Sequence, residues 1–289
     1  MPGPRRAPTI VLLGAALAVA VASGCAQAPE RAAATSIVAA APEILASRTP
    51  IVLLGEVHDN ATQHAMRLEA LKAIVAAGAR PALLMEQFDR ERQDDLERAR
   101  RGEGGVRVDA DAIIAAASTK SSGWDWAYYR PFLTLALEHD LPIVAANVSR
   151  RDAFRIAMEG LAGSGFDAAV PADISERQTD LIVRSHCDTV DAAQGRKMAD
   201  AQVARDQFMA RTIERWQERG VVLLAGNGHV RRDIGVPRWL APSVATRTVV
   251  VGLIEVGDDA PGEYDRTLVT PRASREDPCA ALRARHRRG

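Results

Sequence analysis

Five short apolar runs constrain this chain more than any other feature of its sequence. They are residues 51–54 (IVLL), 82–85 (ALLM), 143–146 (IVAA), 221–224 (VVLL) and 248–254 (TVVVGLI). None alternates apolar with polar side chains, so none reads as a strand with one wet face. Continuous apolar strands arise where both faces of a sheet are covered, as in a parallel sheet between helices. The segments between the runs carry helical spacing. Residues 64–77 place Met66, Leu68, Leu71, Ile74 and Val75 near one stripe, and Gly78 stops the helix. Residues 196–219 repeat the pattern with Ala201, Ala204, Phe208, Met209, Ile213 and Trp216, and Gly220 follows. The expected fold is α/β: a mostly parallel central sheet covered by helices on both faces. The stretches at about 88–140 and 151–195 exceed simple crossovers. They are expected to form a helical subdomain over the C-terminal edge of the strands.

Polar groups gather where these runs end. The first is followed by Gly55-Glu56-Val57-His58-Asp59 and the second by Glu86-Gln87. The third leads into Asn147-Val148-Ser149-Arg150, and the fourth into Gly226-Asn227-Gly228-His229-Val230-Arg231. The C-terminal ends of parallel strands share one edge, which is where ligands bind in such sheets. Glu56, His58, Glu86, Asn147, Arg150, His229 and Arg231 are therefore the ligand-crevice candidates. Familiar catalytic templates are missing. The sequence has no Gly-x-Ser-x-Gly elbow, no His-Glu-x-x-His helix and no Walker A lysine. Gly226-Asn227-Gly228 lacks the third glycine of a dinucleotide fingerprint, and there is no Cys-x-x-Cys-His for covalent haem attachment.

The N-terminus reads as a secretory leader. Arg5 and Arg6 precede an apolar stretch, and small residues lead to Cys25. Val21-Ala22-Ser23-Gly24-Cys25 resembles a lipobox, although Ala22 stands where that motif most often has leucine. The expected organisation is a lipoprotein signal peptide at 1–24, lipidation at Cys25 and a tether at 25–47. An α/β domain at 48–270 and a basic tail at 271–289 complete it. The expected location is the bacterial envelope, lipid-anchored and facing the periplasm. Cys187 and Cys279 then remain as an even pair, and an oxidising compartment favours a disulfide between them. Losing Arg5 and Arg6 takes two from 37 basic residues against 37 acidic ones, so the mature chain stays near neutral. That balance gives no polyanion footprint, and no nucleic-acid partner is expected.

The ordered set of motifs carries a resemblance. IVLLGEVH at 51–58, Met85-Glu86-Gln87-Phe88, AANVSR at 145–150 and GNGHVR at 226–231 together resemble the ChaN family, the haem-binding uptake branch of the Tiki superfamily. Tyr128-Tyr129-Arg130-Pro131, His186-Cys187 and Gln202 with Arg205-Asp206 fit the same pattern. The resemblance implies a haem-binding lipoprotein of iron or haem uptake, with non-covalent haem as the cofactor. Tyr128, Tyr129, His58 and His229 are the axial-ligand candidates. Trp124 and Trp126 beside the tyrosines supply flat apolar surface. The alternative is a metal-dependent hydrolase, protease-like or esterase-like, in which Glu56, His58, Glu86 and His229 hold a divalent metal or act as acid and base. Haem or another small molecule is the expected partner, with the membrane reached through the lipid anchor. Oligomeric state is left open, a homodimer included.

Overall fold

The computed structural model describes residues 1, 3, 36–105, 108–119, 123–258, 262–277 and 279–280. The leader from Arg5, the lipidation site Cys25, residues 26–35 of the tether and residues 281–289 of the basic tail lie outside the described residues. The chain divides into units at 1–33 and 34–289, and the sheet with its helices belongs to the second.

Six parallel strands form one sheet in the order β3-β2-β4-β1-β5-β6. They are β1 (Ile51–Leu54), β2 (Ala82–Asp89), β3 (Ile143–Asn147), β4 (Val221–Leu224), β5 (Thr248–Glu255) and β6 (Arg266–Thr270). The helices are α1 (Ile37–Ala40), α2 (Ala61–Ala76), α3 (Gln93–Arg100), α4 (Ala110–Ala117), α5 (Trp126–Glu138), α6 (Arg150–Glu159), α7 (Ala172–Ser185), α8 (Ala192–Trp216), α9 (Asn227–Val230) and α10 (Pro242–Ala245). β1 sits in the middle, in register with β4 (Leu54 beside Leu224) and with β5 (Leu54 beside Val251). Five strands are the expected ones. β6 was not among them, because it alternates: Leu268 and Thr270 face inward while Arg266, Thr267 and Val269 are exposed. An edge strand with one wet face has no continuous apolar run to find.

Both faces of the sheet are buried, as unbroken apolar strands require. On one, Val52, Leu54, Leu83, Met85, Val222 and Leu224 pack against Leu71 and Ile74 of α2 and Phe132 of α5. On the other, Ile51, Leu53, Leu84, Val221 and Leu223 pack against Met209, Ala210 and Ile213 of α8. A smaller core of Val148, Ile156, Phe166, Ile174 and Val203 joins α6, α7 and α8. Among the described residues no helix is long and apolar enough to cross a membrane.

Local signals set the helices that carry the site. Asn60 caps α2 by accepting the Gln63 amide, so the helix starts at Ala61, three residues before the apolar spacing shows it. Asp191 and Gln194 form a capping box that opens α8 over its full length.

Candidate functional site

Glu56 lies just beyond β1 and is buried. Its Oε1 accepts from the Tyr129 hydroxyl at 2.5 Å and from His58 Nδ1 at 2.9 Å. Its Oε2 is paired with Arg67 of α2, whose side chain is fully buried and also donates to the Leu54 carbonyl. Burial alone would raise this carboxyl. The Arg67 guanidinium, followed by the His58 hydrogen bond, overrides burial and holds the pKa at about 2. Glu56 is therefore a permanent anion that fixes everything around it.

His58 is the exposed end of this arrangement. Its side chain is 50% accessible, with Nδ1 held by Glu56. The ring meets Trp124 edge-on, with centroids 4.8 Å apart. Burial opposes charge on it, but the Glu56 hydrogen bond and the Glu86 and Glu56 carboxylates win and raise its pKa. His64 behaves oppositely. Its Nε2 faces the His58 carbonyl at 2.9 Å, its Nδ1 faces Arg67, and its ring stacks on Tyr128 at 4.4 Å. Burial lowers its pKa. A neutral ring donating from Nε2 and accepting at Nδ1 satisfies both contacts.

A second acid–imidazole pair stands across from the first. His229, on the short α9 after β4, has Nδ1 2.6 Å from Asp206 Oδ1 of α8, and its Nε2 lies 3.6 Å from Glu86 Oε1. Asp206 is fully buried, and Gln178 of α7 donates to its other oxygen at 3.3 Å. Burial pushes Asp206 up to about 6 despite the adjacent imidazole. Burial also works against charge on His229, and the Asp206 and Glu86 carboxylates outweigh it and raise the imidazole. Glu86 Oε2 accepts the Gly226 amide at 2.8 Å. Glycine at 226 leaves room for His58: a Cβ there would come within 2.8 Å of His58 Cε1 and displace the ring. Gly226 thus marks where the β1, β2 and β4 ends meet. The Asn227 side chain stitches this turn to both the amide and the carbonyl of Leu253 on β5.

Above these groups opens a cleft of about 570 Å³. Glu56, His58, Gly226, His229 and Arg231 line it from the sheet edge, and Gln178, Leu181, Arg184 and Gln202 line it from α7 and α8. The volume is within the range of small-molecule sites, about 300–1,000 Å³.

The sequence candidates divide accordingly. Glu56, His58, Glu86 and His229 are brought together. Arg231 lines the cleft, but Asp233 holds its guanidinium at two points. Asn147 is buried behind the cleft, donating to the Glu86 carbonyl at 2.9 Å, where it steadies the end of β2. Arg150 is the first residue of α6, exposed and not among the cleft-lining residues. Tyr129 is fully buried with its hydroxyl committed to Glu56, whereas Tyr128 is only partly buried. Gln202 reaches the cleft, and Asp206 points inward to His229. Among the described residues no group of three or more His, Cys, Asp or Glu side chains is arranged to hold a metal ion. Of the quartet Glu56, His58, Glu86 and His229, Glu56 is spent on protein partners, its oxygens taken by Tyr129, His58 and Arg67.

Arg67 and His64 belong to the site without having been among the sequence candidates. His64, Arg67, Leu71 and Ile74 share one inward stripe of α2. A cation on a core stripe, one turn from the sheet's polar edge, is the signal that marks it. Cys187 and Cys279 are joined by a disulfide, with Cα atoms 5.4 Å apart.

Residues 45–240 match the model of the family described as haem-binding uptake, Tiki superfamily, ChaN. The chain belongs to the ChaN family. Among solved structures it is similar to ChaN of Campylobacter jejuni, reported with cofacial haem binding. The TM-score is 0.63 at 21% identity, covering 79% of this chain and 88% of that one. That likeness extends the shared fold over most of both chains. An erythromycin esterase mutant, EreC, in its open conformation is more distant: TM-score 0.43, 15% identity, 83% of this chain and 80% of the other. The type III effector HopBA1 gives 0.42 and 11%, over 77% and 88%. Comparison with curated proteins gives no match.

Proposed function

We propose that this ChaN-family protein binds haem non-covalently in the cleft and hands it on during iron or haem acquisition. The observation that carries the reading is His58. Its Nδ1 is anchored by a carboxylate that stays ionised, which leaves Nε2 as the free donor at the cleft. A carboxylate-held imidazole is the usual arrangement for an iron or zinc ligand, because the second hydrogen bond fixes the tautomer and the ring. Haem iron accepts histidine or tyrosine. His58 is the axial ligand this geometry favours; Tyr129 is spent on Glu56, and Tyr128 stacks on His64 and is not among the cleft-lining residues. Val57, Leu181, Ile182 and Tyr264 in the cleft wall supply apolar surface for a porphyrin, and Trp124 backs the His58 ring edge-on. Bound iron would supply the coordination bond, while the chain's own residues orient the imidazole and keep its ring nitrogen presented.

The same proposal includes the anchor. Cys25 carries lipid, residues 1–24 are removed, and the domain faces the periplasm. The lipobox-like sequence supports this. Cys25→Ser is expected to move the protein to the soluble fraction, and an unchanged membrane fraction would contradict it.

Haemin titrated into the purified protein is expected to give a saturable Soret shift that His58→Ala alters in position, or in affinity by about tenfold or more. A non-saturable absorbance rise, identical in both proteins, would defeat the reading. A second reading is favoured by the Asp206–His229 pair, which suits acid–base hydrolysis of a bound ester or amide. It predicts ester turnover by the wild type that His229→Ala abolishes, and no turnover by either protein would end it.

A further inference from the structure

Two arginines line the cleft among the described residues, and Arg231 is locked to Asp233 at 2.9 and 2.6 Å. The other, Arg184, has no carboxylate partner among them. It projects from the last turn of α7, exposed, at the rim facing the sheet edge. An unpaired guanidinium at the mouth of a small-molecule cleft is a ready partner for a planar anion, which it can hold by two parallel hydrogen bonds. Gln202 lies on the same wall, and its carbonyl end accepts from Arg205. That leaves the amide nitrogen of Gln202 as a further donor toward the cleft.

The backbone under Arg184 is pinned. The Cys187 amide donates to the Arg184 carbonyl at 2.9 Å, and the Asp188 amide donates to the Val183 carbonyl at 3.0 Å. Cys187 is bonded to Cys279, at the end of the segment that follows β6. On that segment Arg275 pairs with Asp59, next to His58, and with Glu255 at the end of β5. The segment after β6 therefore has one tie to the α7 end, through Cys279, and one to the loop that carries His58, through Arg275.

We infer that Arg184 is an anion subsite that takes a carboxylate of the bound ligand, with Gln202 as its second donor. The inference rests on the haem reading for the ligand's identity: the carboxylates are then the propionates at the porphyrin edge.

The test uses two porphyrins that differ only in those groups, haemin and its dimethyl ester, titrated into the full chain in detergent. The wild type is expected to bind haemin about five to tenfold more tightly than the ester, the scale of a partly exposed ion pair with good hydrogen bonds. Arg184→Gln is expected to lower haemin affinity to that of the ester and leave ester affinity unchanged. Arg184→Lys is expected to restore part of the preference. Equal wild-type affinity for both porphyrins would overturn the subsite while leaving haem binding standing. So would an equal loss for both porphyrins in Arg184→Gln, which would make the residue structural. No saturable binding of either porphyrin would remove the haem reading and this subsite with it.

Discussion

The two acid–imidazole pairs on either side of Gly226 are chemically alike and electrostatically opposite. Glu56 and Asp206 are both buried carboxylates, and each holds the Nδ1 of a histidine that faces the cleft. Glu56 has a fully buried guanidinium against it and is pressed to about 2. Asp206 has no such cation bonded to it among the described residues and is pushed by burial up to about 6. The difference lies in one residue, Arg67, contributed by the helix after β1. A carboxylate beside a buried arginine is an anchor, whereas a carboxylate beside only an imidazole and an amide shares its proton. In the first pair the carboxylate keeps its charge and fixes the imidazole, whereas in the second the carboxylate itself titrates, near pH 6.

The comparison breaks most visibly at Arg67. Arg67→Leu leaves Glu56 buried without its counter-ion, and the expected cost is about 3–5 kcal/mol in urea unfolding. Arg67→Leu combined with Glu56→Gln should recover much of that loss. If the single change costs under about 1 kcal/mol, the scale of an exposed pair, Glu56 is not an anion held by Arg67.

The pH dependence of stability separates the pairs next. The depressed Glu56 pKa stabilises the fold above about 4.5, and that contribution is lost as pH falls toward 2. Asp206 has the opposite sign. Its raised pKa favours the folded state below about 3.8, and that advantage is lost as pH rises through about 6. His229, also raised, favours the folded state below 6.5 and loses that contribution as pH rises through its higher folded value. Asp206→Asn should therefore flatten the stability profile between about pH 4 and 7 by about 1–2 kcal/mol and lower the His229 pKa. A profile that keeps its slope in the variant would assign it to other groups.

The smallest expected effect is at Tyr129. Tyr129→Phe removes one donor from Glu56 while three other partners remain, so stability should fall by about 1 kcal/mol. The His58 pKa should barely move. A large His58 shift would mean that Tyr129, and not Arg67, sets the state of the first pair.

How much of this could be read from the sequence depended on the kind of signal. β1 to β5 were legible because a strand covered on both faces must be apolar throughout. β6 was not, because its Arg266-Thr267-Leu268-Val269-Thr270 pattern belongs to an edge with one wet face. Glu56, His58, Glu86 and His229 were legible because strand ends in a parallel sheet share an edge. Arg67 and His64 were not, because helical spacing was judged by apolar residues alone and both sit on the apolar stripe. Asn147 ends β3 and Arg150 follows it, yet the β3 end lies two strands from β4 and its polar groups support or leave the cleft rather than line it.

The most direct test of the central claim, that both histidines face one haem cleft, is side-chain histidine NMR before and after one equivalent of haemin. Ferric haem is paramagnetic and broadens nearby nuclei. The ring signals of His58 and His229 are expected to broaden together. His139, at the end of α5 near the start of β3 and thus at the opposite edge of the sheet, is expected to stay sharp. Unchanged His58 and His229 signals, or equal broadening of His139, would contradict the account.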